Sequence, residues 1–377
     1  MTAVIADDIT GAAEVAGVCL RKGISVRLLI GVPAPEALGG AEVLVLATNT
    51  RAGSREEACA AMQEIALQLR RAGITQIFKK TDSALRGWVL AEMGTLAHAF
   101  GRRSLLIQPA NPDTGRSVRN GIYYVKGLPL AQTPFRDDPE FPATTSDAAE
   151  LLRLLGAGLD IPFRIPDAQG PEDLRESAAQ CRPEELPGGS AAFWQAYRES
   201  CGPHAAAAGA TEAGGLDLSG SLVICGSAHP ASHAWCRELA AAGFPVREMP
   251  EALCRIGQDG SAPAREWTQE CIEAWHENGR LLVRSAEKQL PLPDDPGRPG
   301  RRLAECAARL LAATGPAGVL VEGGATAWEI LQRLGWNAFT PLREWSPGVV
   351  SLRLDAALHC TVTLKPGSYA WPHIKRL

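Results

Sequence analysis

Long apolar runs are missing from this sequence: none approaches the ~18–20 residues that a membrane-spanning helix needs. The first eight residues, Met1 to Asp8, hold no basic segment and reach carboxylates at once, so a secretory leader is not expected. Long basic runs are missing too. With 38 Lys+Arg against 42 Asp+Glu the net charge is −4, which disfavours sequence-independent nucleic-acid binding, since that needs clustered cations. Ten cysteines are present, but no two form a Cys-x-x-Cys pair. Scattered through helix-like and strand-like segments (Cys19, Cys59, Cys225, Cys236, Cys271, Cys306), they fit small apolar residues in a reducing compartment, and the expected location is cytoplasmic. There is no G-x-S-x-G elbow, no G-x-x-x-x-G-K-[ST] phosphate loop, no full G-x-G-x-x-G fingerprint and no heptad or tandem repeat.

What is there suits a folded protein of two domains: 377 residues, 46% of them hydrophobic and 21% charged. Short apolar runs (Ala3–Ala6, Val26–Ile30, Val43–Leu46, Gln76–Phe78, Leu105–Ile107) alternate with amphipathic stretches (Ala12–Lys22, Arg55–Arg71, Val89–Phe100). In the second of these stretches Ala58, Met62, Ile65 and Leu69 recur at helical steps. Strand–helix alternation predicts an α/β fold with a mostly parallel sheet flanked by helices. Residues 109–145, rich in Pro, Gly, Asn and Asp, read as a long irregular connection. Helices are expected at Ser146–Leu155, capped by Ser146, and at Ser190–Cys201. The Gly- and Ala-rich residues 202–220 mark the boundary between a first domain, 1–205, and a second, 216–377. The second repeats the alternation: strands at Leu222–Cys225, Leu281–Arg284 and Val319–Glu322, helices at His233–Ala242, Arg302–Ala313 and Ala325–Leu334, and two strands between Val349 and Leu364. The Pro-, Asp- and Gly-rich loop 286–300 is expected to be exposed.

Three segments of the first half put chemistry where strands should end, the usual ligand edge of an open α/β sheet. Asp7-Asp8-Ile9-Thr10-Gly11 places two carboxylates there; side chains alternate along extended chain, so one can face a ligand while the other caps the following helix. Lys79-Lys80-Thr81-Asp82-Ser83-Ala84-Leu85-Arg86-Gly87 gathers cations suited to a carboxylate and an aspartate suited to hydroxyls; capping of a solvated turn by Asp82 or Ser83 is the plainer reading. Thr48-Asn49-Thr50-Arg51 would bring Arg51 to the same edge. In the second half, Cys225-Gly226-Ser227 and Glu322-Gly323-Gly324-Ala325-Thr326 have a strand–Gly–helix form in which backbone amides can approach a phosphate, and Lys365-Pro366-Gly367-Ser368 is a further Gly/Ser loop. His229 and His233, four apart, would share a helix face, but no further residue completes a metal pattern, so no metal ligands are assigned.

Taken in order, these motifs resemble the four-carbon acid sugar kinase family: Ala6–Ala12, Lys80–Gly87, Pro109-Ala110-Asn111-Pro112-Asp113-Thr114-Gly115-Arg116, Gly127–Thr133 with Asp138-Pro139, Gly323–Ala327 and Leu364–Ser368. The resemblance implies a sugar-acid-binding first domain, an ATP-binding second domain and an active site in the cleft between them. It implies ATP- and Mg²⁺-dependent phosphorylation of a threonate, erythronate or oxo-tetronate type of substrate. Carried over by motif, the substrate residues are Asp8, Arg51, Lys80, Thr81, Asp82, Ser83 and Arg86. Arg51 and Lys80 would clamp the carboxylate, and Asp8 or Asp82 would act on the attacking hydroxyl. The nucleotide residues are Ser227, Gly323, Gly324, Ala325, Thr326 and Gly367. The chain departs from the family at Ala84, Trp88 and Ala325, where relatives usually carry Thr, Asn and, in many, an acid. The missing acid at Ala325 motivates a second reading, a non-catalytic sensor that binds the same ligands; a kinase for another small hydroxy acid is a third. A nicotinamide-dependent dehydrogenase is disfavoured, because Asp7 and Asp8 would repel a pyrophosphate at the first strand–helix turn. The expected partners are small molecules, and a homodimer is compatible with the sequence.

Overall fold

The computed structural model describes residues 1–33, 38–138, 140–156, 160–202, 214–255, 259–286, 297–355 and 360–376. The chain divides into two compact units, Met1–Gly209 and Ala210–Leu377. Most of the Gly/Ala-rich boundary segment, most of the loop 286–300, and Pro139 lie outside the described residues.

The first unit is built on seven parallel strands, in the order Val26–Ile30, Val43–Ala47, Thr2–Ala6, Gln76–Lys80, Glu185–Gly189, Ser104–Gln108, Phe163–Arg164. Strands Thr2–Ala6 and Val43–Ala47 are buried along their whole length and Ser104–Gln108 at all but its first residue, which is why they read as apolar runs. Helix Ile9–Arg21 packs with Ala191–Ser200, and Arg55–Arg71 with Val89–Ala99. Helix Arg55–Arg71 has the bounds its periodicity predicts, and Ser54 and Glu57 close a capping box at its start. The register aligns Ala47, Ala6, Lys80, Gly189 and Gln108 across the sheet, so the residues that follow these positions emerge along one edge. Strand Thr2–Ala6 leads toward one side of the sheet and strand Gln76–Lys80 toward the other. The crevice of this topology therefore lies between Asp7-Asp8 and Lys80-Thr81-Asp82.

Two expectations for this unit need correction. Residues 109–145 are not structureless: Arg116–Arg119, Ile122–Val125 and Leu128–Pro129 form a small antiparallel sheet, whose turn Asn120-Gly121 has both residues at positive φ. The alternation in these short strands is masked by their Gly and Asn neighbours. Helix Ala148–Leu155 is capped by Asp147, which accepts from Glu150 N at 2.8 Å, and not by Ser146, whose hydroxyl accepts from Ala131 N at 3.0 Å.

In the second unit, five parallel strands run Val246–Glu248, Leu281–Arg284, Ser221–Cys225, Gly318–Glu322, Thr361–Lys365, and two antiparallel strands, Val349–Leu354 and Ala338–Ser346, complete the sheet. The strand Ala338–Ser346 was not anticipated; Pro341 and two irregularities in its pairing break the pattern by which a strand is recognised. The connections diverge between Ser221–Cys225 and Gly318–Glu322, so this unit's crevice lies between Gly226-Ser227 and Gly323–Thr326. Among the described residues, no helix is long and apolar enough to cross a membrane.

Candidate active site

At the crevice of the first unit, one guanidinium gathers three carboxylates. Arg51 Nη1 donates to Asp82 Oδ1 at 2.9 Å and lies 3.5 Å from Asp7 Oδ2, while Nη2 donates to Asp8 Oδ2. Arg51 is presented by the short turn Thr50–Ala52, which follows Asn49 in a left-handed conformation. Asp8 performs both of the tasks expected to be divided between the two adjacent aspartates. Its Oδ1 caps helix Ile9–Arg21 by accepting from Gly11 N at 2.7 Å, and its Oδ2 meets Arg51 and the Thr10 hydroxyl. Asp7 points into the interior, 3% exposed, and its Oδ1 has no hydrogen-bond partner.

After strand Gln76–Lys80, residues Thr81–Gly87 form a loop, and the helix begins at Val89. Asp82 organises the loop. One oxygen accepts from Ala84 N at 3.0 Å and Arg86 N at 3.3 Å, and both oxygens take the fork of the Arg86 side chain at 2.9 Å. Between them Leu85, fully buried, is held at φ 61°, a left-handed conformation that a branched apolar residue adopts only when its surroundings fix it. Arg86 continues to Asp138 at 3.1 Å. Ser83 offers its carbonyl to the Tyr123 hydroxyl, and Thr81, whose N–H donates to Gly189 O at 3.0 Å, buries its own hydroxyl without a partner. Lys80 is nearly buried, with Nζ 3.0 Å from Thr81 O and 3.5 Å from Glu14. Beneath this layer Lys79 and Glu92, both fully interior, pair at 2.9 Å, and the Thr50 hydroxyl donates to Glu92. Sequence reasoning gave no role to Glu92. The available signal was a single carboxylate in the otherwise apolar first two turns of helix Val89–Ala99.

These neighbours set the charge states. Burial would raise the pKa of Asp82, but Arg86 and Arg51 outweigh it and hold the carboxyl well below the usual range. Burial opposes Asp8 in the same way, and Arg51, Lys80 and the Gly11 N–H hold its pKa low. Asp7 is the opposite case. Burial dominates over Arg51 and Lys79 and lifts its pKa from 3.8 to about 6. The folded state thus binds this proton more tightly than the unfolded chain does. The stability Asp7 contributes is present below about pH 4 and is lost as pH rises through about 6. Asp7→Asn is expected to remove this fall, about 3 kcal/mol at most, from the stability curve between those pH values. Denaturant melts from pH 4 to 8 check it; an unchanged slope contradicts the assignment.

In the second unit, the ends of three adjacent strands converge. Cys225, Glu322 and Lys365 are in register. Lys365 Nζ lies 2.8 Å from Glu322 Oε1, both groups almost fully interior. Ser232 donates to the same oxygen, Trp371 Nε1 donates to Oε2 at 2.8 Å, and the Tyr369 carbonyl accepts from Lys365. Burial lowers the Lys365 pKa, against the opposing pull of Glu322. Around this pair lie the glycines. A Cβ on Gly226 would collide with the Thr326 side chain, and one on Gly367 would stand 2.7 Å from Ser227 Oγ. Gly323, at φ 104°, turns the chain into helix Gly324–Leu334, whose start has no side-chain cap. Ala325 is exposed and Thr326 buried in that first turn. Ser227 Oγ accepts from His229 N at 3.2 Å and lies 3.0 Å from Ser232 Oγ. The structure thus brings Ser227, Gly323, Gly324, Thr326 and Gly367 to one strand edge. Uncapped amides beside glycine backbone are suited to phosphate oxygens. Sequence reasoning assigned no role to Glu322 or Lys365, although both stand directly beside the glycines it singled out.

His229 and His233 do not share a helix face. His229 precedes helix Pro230–Ala241 and caps it through Nδ1, which accepts from Ala231 N at 3.2 Å, while His233 is buried within it. Among the described residues, no group of three or more His, Cys, Asp or Glu could hold a metal ion.

Two family models match the chain, one in each unit. The model of a sugar-binding N-terminal domain matches residues 2–188, and that of a nucleotide-binding C-terminal domain matches residues 222–369. The chain is 30% identical over 371 residues to D-threonate kinase of Bordetella bronchiseptica, covering 92% of this chain and 88% of that one. It is 28% identical over 396 residues to 3-oxo-tetronate kinase of Methylobacterium radiotolerans, covering 93% and 91%. A solved Salmonella typhimurium protein described as a tRNA synthase shares the fold, with a TM-score of 0.76 at 21% identity over 98% of this chain and 96% of that one. The chain belongs to the four-carbon acid sugar kinase family.

Proposed function

We propose that the protein is an ATP-dependent kinase that phosphorylates a hydroxyl group of a four-carbon sugar acid of the threonate, erythronate or oxo-tetronate type. The observation that carries this reading is the Arg51 cluster at the crevice of the sugar-binding unit. Two ionised aspartates, Asp8 and Asp82, are fixed by one guanidinium at the edge where α/β sheets bind ligands. Carboxylates held this firmly accept hydrogen bonds from sugar hydroxyls without reorganising. Phosphoryl transfer passes through a loose transition state, so an orienting acceptor of low basicity suffices for the attacking hydroxyl. Asp8 and Asp82 fill that role, Arg51 and Arg86 position them, and Lys80, Thr81 and Ser83 shape the floor of the pocket.

ATP is assigned to the second unit because helix Gly324–Leu334 starts with amides that no side chain caps, while Gly226 and Gly367 let the Thr326 and Ser227 side chains pack directly beside that start. Ser227, Gly323 to Thr326 and Gly367 would hold the phosphates. Mg²⁺, which neutralises charge on a transferred phosphoryl group, would arrive with the nucleotide. The carboxylate nearest the cradle, Glu322, is already taken up by Lys365, Ser232 and Trp371, so no protein ligand for the ion is assigned.

The test is a coupled assay with ATP over a panel of four-carbon sugar acids. Turnover of at least one is expected, and binding without turnover of any would favour the sensor reading motivated by Ala325. Gly367→Ala pushes a methyl group against Ser227. It is expected to raise KM for ATP about 10-fold or more, the worth of one or two lost phosphate contacts, with KM for the acid unchanged. An unchanged KM for ATP would remove Gly367 from the nucleotide site.

A further inference from the structure

A sugar acid carries one group that the Arg51 cluster does not answer. Its hydroxyls suit Asp8 and Asp82, but its carboxylate needs a cation, and the cations at the crevice are committed. Arg51 serves three aspartates, Lys79 pairs with Glu92, Lys80 lies against Glu14 and the Thr81 carbonyl, and Arg86 bridges Asp82 and Asp138. Arg116 differs. Among the described residues no carboxylate pairs with it, its Nη1 is 3.4 Å from the Thr114 hydroxyl, and its Nε is buried with no hydrogen-bond partner.

The position of Arg116 follows from the hairpin that bears it. Alternation along strand Arg116–Arg119 puts Arg116 and Val118 on one face, and Val118 stands opposite Tyr123 on the neighbouring strand. The Tyr123 hydroxyl donates to the Ser83 carbonyl, so this face of the hairpin is the one turned to the Thr81–Gly87 loop. The Phe135 ring ties Arg116 to the same place: the Arg86 guanidinium lies 5.3 Å from the ring centroid and that of Arg116 5.9 Å. Arg116 is also among the cations that keep the Asp82 carboxyl low. Half-buried, next to an aromatic ring and without a carboxylate of its own, the guanidinium keeps its planar fork for an incoming carboxylate.

We propose that Arg116 binds the carboxylate of the substrate and so determines specificity for a sugar acid over a neutral polyol. The proposal rests on the sugar-acid kinase reading and assigns a residue which that reading leaves open. It is tested by comparing wild type, Arg116→Gln and Arg116→Lys on the accepted four-carbon acid and on the corresponding four-carbon polyol, which lacks the carboxylate. Arg116→Gln is expected to raise KM for the acid about 10- to 100-fold, the worth of a charge-assisted hydrogen-bonded pair, with kcat and KM for ATP within a few-fold. The preference for acid over polyol should shrink by the same factor. Arg116→Lys, which keeps the charge and loses the fork, should fall between. Equal losses on acid and polyol, or an unchanged KM for the acid, would overturn the assignment. Thermal melts establish that the variants fold; should Arg116→Gln fail to fold, an Arg116→Lys variant with unchanged KM overturns it alone. If wild type turns over no four-carbon acid, the kinase reading fails separately. Calorimetric titration with the same acids then decides for Arg116: at least 10-fold weaker binding to Arg116→Gln supports it, and equal or absent binding to wild type rejects it.

Discussion

Lys79→Met is expected to destabilise the first unit by about 3–5 kcal/mol, because it strands the buried Glu92 carboxylate with only the Thr50 hydroxyl for a partner. A surface ion pair would give a fraction of this; the difference is burial, Lys79 being 0% and Glu92 1% exposed. The loss belongs to breaking the pair and not to the pair's net worth. Exchanging both partners for apolar residues, in Lys79→Met/Glu92→Met, should therefore recover most of it. Thr50, deprived of Glu92, still has the Thr48 hydroxyl at 2.8 Å. Denaturant midpoints for the two variants check this, and a single variant within about 1 kcal/mol of wild type would show that the interior accommodates the lone carboxylate. A second readout ties the pair to the site above it. Lys79 is one of the cations that restrain Asp7, so its removal should move the Asp7 titration still higher. In the double variant the Glu92 charge, which raises the Asp7 titration, is lost together with Lys79, so most of the displacement should disappear along with the loss of stability.

That coupling explains why the sequence was legible in some places and not in others. Strand ends were readable because parallel strands buried on both faces must be apolar, and the polar residues that follow Ala6, Ala47 and Lys80 mark where the sheet stops. The Gly positions were readable because Gly323 takes a positive φ, and Gly226 and Gly367 lie where a Cβ would strike Thr326 and Ser227. Partners were not readable. Nothing in the spacing of Arg51 says that its guanidinium meets Asp8, 43 residues away, and Asp82, 31 residues away. Lys79 and Lys80 read as cations for a bound carboxylate, yet both are buried against carboxylates of the protein itself. Alternation along strand Gln76–Lys80 turns their side chains to opposite faces, where Glu92 on one helix and Glu14 on another meet them. Arg116 was hidden for a related reason: its hairpin sits in a stretch dense with Gly, Pro and Asn, which reads as loop. Residues that depend on long-range neighbours for their charge state are the ones a local pattern cannot rank.

Arg51→Met carries the largest expected effect on turnover, because it removes the shared counter-charge of Asp8, Asp82 and Asp7 at once. If the two site aspartates act as fixed acceptors for substrate hydroxyls, kcat/KM for the sugar acid should fall about 10²- to 10³-fold, as for truncating one partner of a buried hydrogen-bonded charge pair. The same variant should weaken an acid-stability effect. In wild type the pKa values of Asp8 and Asp82 are depressed in the folded state; the stability they contribute is present above about pH 4 and is lost as pH falls below it. Without Arg51, burial of Asp8 is opposed only by Lys80, the Gly11 N–H and the Thr10 hydroxyl, and its titration should move upward. Asp82 retains Arg86 and should rise less. The variant should therefore lose less stability than wild type as pH falls below about 4, because less of the depression remains to be undone. Arg51→Lys separates charge from geometry: it should restore much of the stability at neutral pH while recovering little activity, since one ammonium cannot span Asp8 and Asp82 as the fork does. An Arg51→Lys variant with wild-type kcat/KM would mean that charge alone matters here, and the role given to the orientation of the two aspartates would have to be abandoned.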